Sequence, residues 1–173
     1  MTIVEIISQI INCIGSTINM IGINVKDKRK VLIYFTFGNL CVAISLGLLG
    51  AKVGMLVQTI FVVQTIVNSF WERKSEKYPI WLILLYVIIP SLMSAITFET
   101  TWDFLPIIAA ISFPLAMLSK NLKLRLLNLL SVVVWIPYNF HFGQYVGALS
   151  CSIFTVLNIV AIIRLDCLKK KSE

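Results

Sequence analysis

Amide and aromatic side chains recur at helical spacing inside runs of otherwise apolar sequence. Gln64 and Asn68 lie four residues apart on one helix face. Trp135, Tyr138 and Asn139 share another, and Asn158 stands alone in a third run. Asn12, Ser16 and Asn19 form a stripe on the first run, with Asn39 in the second. Amides donate and accept hydrogen bonds, and an aromatic plate supplies contact area. The combination suits a small, neutral, polar solute with a flat or carbon-rich face. In an apolar medium such amides must find partners or border a hydrated cavity. Their simpler role is adhesion between helices, worth on average about 0.6 kcal/mol each. Asn12, Asn19 and Asn39 suit that role as well, and Asn19 also falls within the candidate site.

Apolar runs of this kind number seven, and five of them carry these residues. The seven extend roughly over 3–25, 31–50, 53–71, 80–96, 104–118, 126–142 and 146–163. The chain is 58% hydrophobic and only 13% charged, far from the balance of a soluble domain. A helix needs about 20 residues to cross a bilayer core, so seven crossings consume nearly all 173 residues. All but one of the 15 Lys and Arg residues gather in four clusters in alternate gaps: 26–30, 73–77, 120–125 and 164–171. Lys52 is the exception. An excess of Lys and Arg marks cytoplasmic loops. The pattern therefore predicts seven spans with the N-terminus outside and the C-terminus cytoplasmic. The net charge of +7 then reflects orientation and anionic phospholipid at the cytoplasmic face, not nucleic acid. The first run lacks a basic leader and a small-residue cleavage site, so it reads as a retained span.

A shift of 93 residues lays the first three runs over the last three. Gly50, Val53, Gly54 and Leu56 then fall on Gly143, Val146, Gly147 and Leu149. The expected organisation is one membrane domain: a three-helix repeat over 3–71, a linker helix over 80–96, a second repeat over 104–163, and a tail over 164–173. Repeats of three separated by one enter the membrane in the same direction, an arrangement found among transporters. A monomer would suffice for such a unit, and homo-oligomers are compatible with it. Pro137 and Pro114 are the candidate gating positions, because proline removes a backbone hydrogen bond and kinks a helix.

No cofactor or metal is expected, since the cysteines have no ligand spacing. Nor is an enzyme expected: His141 is the sole histidine, and no nucleophile accompanies it.

Five features together resemble the bacterial inner membrane family typified by YgjV. They are the basic loop K-D-K-R-K at 26–30, the G-x-x-x-G turn, the polar third run, W-x-x-x-N at 135–139, and N-I-V-A-I-I-R at 158–164. More distantly, the 3+1+3 plan resembles the SWEET, PQ-loop and PnuC transporters. That resemblance implies an all-α fold and a facilitative carrier. It implies a site built from Gln64 or Asn68 in the third helix, Trp135 or Asn139 in the sixth and Asn158 in the seventh. A Pro-Gln motif is absent from both repeats, so sugar specificity does not carry over. A nucleoside-like or vitamin-like solute is equally admissible. The competing reading is a non-transporting receptor or the binding subunit of a larger membrane complex.

Overall fold

A computed structural model describes the backbone at 2–23, 25, 27–72, 79–118 and 121–163; at 23, 28, 72, 116–118, 121, 122, 124, 125 and 161 only the backbone is described. The elements are α1 (Ile3–Ile23), α2 (Lys28–Leu48), α3 (Lys52–Glu72), α4 (Ile80–Ile96), a 3₁₀ turn (Thr101–Asp103), α5 (Phe104–Leu118), α6 (Asn121–Val133), α7 (Trp135–His141) and α8 (Tyr145–Ile162).

Local chemistry sets where they start. Thr2 and Glu5 bond each other's backbone N–H groups at 2.9 and 3.2 Å, a reciprocal cap that opens α1. Asp27 caps α2 by accepting from the Arg29 and Lys30 N–H groups. Buried Asp103 accepts from the Glu99 and Thr100 N–H groups and the Thr100 hydroxyl, so its charge is well solvated ahead of α5.

Two tight turns reverse the chain, and both are built around a glycine in the left-handed region: Gly50 at φ 74° and Gly143 at φ 70°. In the first, the Ala51 N–H reaches the Leu46 carbonyl at 3.0 Å. In the second, the Gln144 N–H reaches the Asn139 carbonyl at 2.7 Å. These are the helix-ending bonds of a Schellman turn, and each lies 93 residues from its counterpart.

Consecutive helices pack against each other and reverse direction at each connection except at Val134, where α7 continues α6, and α1 also packs against α8. One end of the bundle therefore gathers Glu5, the Lys52–Glu99 ion pair at 2.6 Å and the stacked rings of Trp102 and His141, 4.7 Å apart. The opposite end carries Arg29 and Lys30. These are called the Lys52 end and the Arg29 end below. Of the basic clusters, Lys26, Arg73, Lys74, Lys77, Lys120, Arg164, Lys169, Lys170 and Lys171 lie outside the described residues.

The apolar core sits where α2, α3, α5 and α7 meet, around Leu46, Val53, Val57, Ala109, Trp135 and Tyr138. Elsewhere the usual pattern is inverted. On α1, Ile3, Ile6, Ile7, Ile10 and Ile14 are exposed, while Ser8, Gln9, Asn12 and Ser16 are buried. A helix that hides its polar face and shows its apolar one is made for lipid, where association rests on packing and interhelical hydrogen bonds.

The expectation of seven crossings in a 3+1+3, SWEET-like arrangement is corrected here. Among the described residues, three helices are long and apolar enough to cross a membrane: Ile3–Gly22, Arg29–Leu48 and Lys52–Trp71. The other apolar helices, Ile80–Ile96, Thr101–Leu115, Leu126–His141 and Tyr145–Val160, are 10–17 residues long. At 1.5 Å per residue, such helices fall short of a core about 30 Å thick. One cause is visible in the sixth apolar run, which breaks at Val134 between α6 and α7. Pro137 cannot donate to the Val133 carbonyl four residues earlier. The protein is an all-α bundle of three long apolar helices and several shorter ones.

Candidate functional site

Between α1, α2, α5, α6 and α8 lies a cavity of about 460 Å³. Its walls are Asn19 and Asn39, Asn128 and Asn158, with Phe35, Phe113, Val132, Phe154 and Leu157 between them. Asn19 sits one turn from the end of α1, and Asn158 one turn from the end of α8. The cavity therefore lies toward the Arg29 end.

Its amides are arranged as two pairs. The Asn19 Nδ2 donates to Asn39 Oδ1 at 3.2 Å, joining α1 to α2. The Asn128 Nδ2 donates to Asn158 Oδ1 at 3.2 Å, joining α6 to α8. Asn158 is oriented further by its own bond to the Phe154 carbonyl at 2.9 Å. Gly38 makes the first pair possible, because a Cβ there would collide with the Asn19 amide.

A narrower chamber of about 90 Å³ continues toward the middle of the bundle. It shares Asn19, Asn39 and Phe154 with the larger cavity and adds Asn12, Ser16, Gln58, Trp135, Asn139, Gly147, Ser150 and Cys151. Among the described residues, no charged side chain lines either space. Among the described residues, Asn19 Oδ1, Gln58 Oε1 and Asn139 Oδ1 are buried without a hydrogen-bond partner. All three belong to side chains lining the inner chamber. Buried oxygens of this kind signal a role for a water or a ligand. Chemically, the space offers amide hydrogen bonding and aromatic contact to an uncharged guest.

The candidate residues divide accordingly. Asn19, Trp135, Asn139 and Asn158 come together around this space. Gln64 and Asn68 do not. The Gln64 amide donates to the Tyr86 carbonyl at 3.4 Å, and Asn68 Oδ1 accepts from the Tyr86 hydroxyl at 3.0 Å. Both tie α3 to α4. Tyr138 belongs to the apolar core, and its hydroxyl accepts from the Gly54 N–H at 2.8 Å. Pro137 is exposed just beyond the helix break, while Pro114 is buried within α5.

Sequence reasoning passed over Gln58, Asn128 and the three phenylalanines, and gave Asn12 and Asn39 no place in the site. It also missed a polar knot at the Lys52 end of the chamber. The Ser8 hydroxyl donates to the Ser45 carbonyl at 2.9 Å, and the two hydroxyls lie 3.1 Å apart. The Gln144 Nε2 donates to Ser8 Oγ at 2.8 Å and to Ser45 Oγ. Asn12 donates to Ser45 Oγ at 3.3 Å and accepts from Ser16 at 3.1 Å. Beside them, Gln9 accepts from the Val146 N–H at 2.9 Å and donates to the Gly143 carbonyl at 2.6 Å. One signal was available: Ser8, Asn12 and Ser16 recur every four residues, so the polar stripe of α1 begins one turn before Asn12.

Comparison with curated proteins and with solved structures returns no significant match. The family model described as Imp-YgjV, bacterial inner membrane protein, matches residues 6–169. With nearly the whole length covered, and with the lipid-facing inversion of α1 already pointing the same way, the chain belongs to the YgjV family and is a multi-pass protein of the bacterial inner membrane.

Proposed function

We propose that the protein carries a small, neutral, polar solute across the inner membrane, binding it in the amide-lined cavity. The observation that carries this reading is the pairing of an uncharged polar lining with aromatic walls, in a space roomy enough for a sugar, a nucleoside or a vitamin-like compound. Charged solutes are disfavoured, because no described residue of the lining would offset the loss of their hydration. No carboxylate lines the cavity among the described residues either, which favours facilitative movement over obligatory proton coupling. The matching glycine turns at Gly50 and Gly143 support a repeat of 93 residues, about which two parts of the bundle could move. The basic clusters favour an N-terminus outside and a C-terminus in the cytoplasm, with the Arg29 end against anionic lipid. Among the described residues no nucleophile–base pair lines this cavity, and we read the protein as a non-enzyme.

Equilibrium binding to purified protein in detergent tests the reading. A panel of neutral sugars, nucleosides and vitamin precursors is screened by quenching of tryptophan fluorescence, since Trp135 lines the inner chamber. At least one class is expected to bind saturably, with affinity lost in Asn139→Leu. Saturable binding that Asn139→Leu leaves unchanged would place the solute elsewhere. Binding without flux in proteoliposomes would favour a receptor or a subunit of a larger complex.

A further inference from the structure

The amide cavity is not the only space on the bundle axis. At the Lys52 end, a second cavity of about 480 Å³ is bordered by Thr2, Glu5, Leu48, Phe142, Gly143 and Tyr145. Residues bonded into the polar knot border both this vestibule and the inner chamber. Gly143 lines the vestibule while accepting from Gln9, and Asn12 lines the chamber while donating to Ser45. From Gln9 to Asn12 is less than one helical turn, about 5 Å along α1.

We infer that the vestibule and the amide cavity are two mouths of a single route, and that Gln9 and Gln144 are the residues that close it. This rests on the transport reading of the same cavity and adds which side chains seal it. The seal is a layer of neutral side chains, Ser8, Gln9, Ser45 and Gln144, bonded across three separate parts of the chain. Such bonds exchange readily with those of a passing polar solute, since each lost partner is replaced by a hydroxyl or amide of the guest. Gln144 is carried on the turn before α8 rather than within a helix, and Gln9 holds that turn by both the Gly143 carbonyl and the Val146 N–H. Release of Gln9 therefore loosens the hold of α1 on the turn that bears Gln144. Gln144 Oε1 is buried without a partner among the described residues, so the layer is not saturated when shut.

Cys151 lines the chamber just behind this layer and serves as a reporter that requires no knowledge of the solute. In a Cys13→Ser, Cys41→Ser, Cys167→Ser background, a neutral, sugar-bearing methanethiosulfonate is applied briefly to each face of membrane vesicles of both orientations. Modification of Cys151 is expected from the Arg29 face, and at least about tenfold more slowly from the Lys52 face. Gln9→Ala combined with Gln144→Ala should raise the Lys52-face rate by about tenfold or more and leave the Arg29-face rate unchanged, which also reports that the bundle is folded. The milder Gln9→Glu keeps the acceptor for Val146 but loses the donor to Gly143, and should raise the same rate to a smaller extent. Equal rates from both faces in the parent would overturn the inference, as would a Lys52-face rate that neither variant changes. The assay reads no flux. Absent transport with the expected rates would sink the carrier reading alone, and intact transport with equal rates would sink the gate alone.

Discussion

The Tyr138 hydroxyl stands 2.8 Å from the Gly54 backbone nitrogen and accepts its hydrogen bond, at the start of α3 where an N–H has no partner within its own helix. The two residues are 84 apart in sequence, so this bond joins the first hairpin to the last. Gly54 is what lets the ring approach: a Cβ there would lie 2.8 Å from the Tyr138 oxygen. The spaced glycines of the two hairpins thus do different jobs, with Gly50 and Gly143 making the turns and Gly54 receiving a side chain.

Tyr138→Phe should therefore destabilise the fold while sparing solute affinity. It leaves the buried Gly54 N–H unsatisfied, at a cost of about 1–3 kcal/mol. Thermal unfolding in detergent should show the loss. Gly54→Ala should be worse, because the new methyl displaces the ring as well.

Asn158 offers the opposite expectation. Its pairing with Asn128 is only half-buried, and an interhelical amide bond in a membrane protein contributes about 0.6 kcal/mol on average. Asn158→Ala should thus shift the unfolding midpoint little. It should weaken solute binding by about tenfold, the order expected when a guest loses a charge-free hydrogen bond in a dry site. Calorimetric or fluorescence titration of the variant reads the difference.

Asn68→Leu should separate the α3–α4 contact from the cavity. The substitution removes the acceptor of the Tyr86 hydroxyl and should destabilise the protein by about 0.5–1.5 kcal/mol. Solute affinity of the folded fraction should match that of the parent protein. A large loss of affinity with unchanged stability would mean that Asn68 reaches the guest.

At the surface, Lys52→Ala breaks the 2.6 Å contact with Glu99. Both side chains are more than half exposed, so solvent screens the pair and the cost should stay below about 1 kcal/mol. Unfolding in low and high salt should show the small effect vanish as ionic strength rises.

The sequence made helices easy to read and crossings hard to count. The apolar runs over 80–96 and 104–118 coincide with α4 and α5, because a helix is started and filled by local sequence, as where Pro79 precedes α4. Whether a run is long enough to cross depends on breaks such as Val134, which follow from how Pro137 is accommodated. The family was legible from short motifs spread over the whole chain. The site was legible only in part. Asn19, Trp135, Asn139 and Asn158 meet because their helices pack, but nothing local distinguishes them from Gln64 and Asn68, whose amides face α4 instead. Gln9 and Gln144 were invisible for a different reason. Their partners are a backbone turn and a pair of serines more than 90 residues away, a contact that spacing cannot announce.

Uptake into proteoliposomes, with a solute identified by the binding screen, tests the central claim most directly. Parent protein should support saturable uptake, and the folded Asn139→Leu, Asn158→Leu double variant should lose at least about tenfold of it. Uptake undiminished in that variant, with its unfolding midpoint unchanged, would contradict the assignment of the amide cavity as the route.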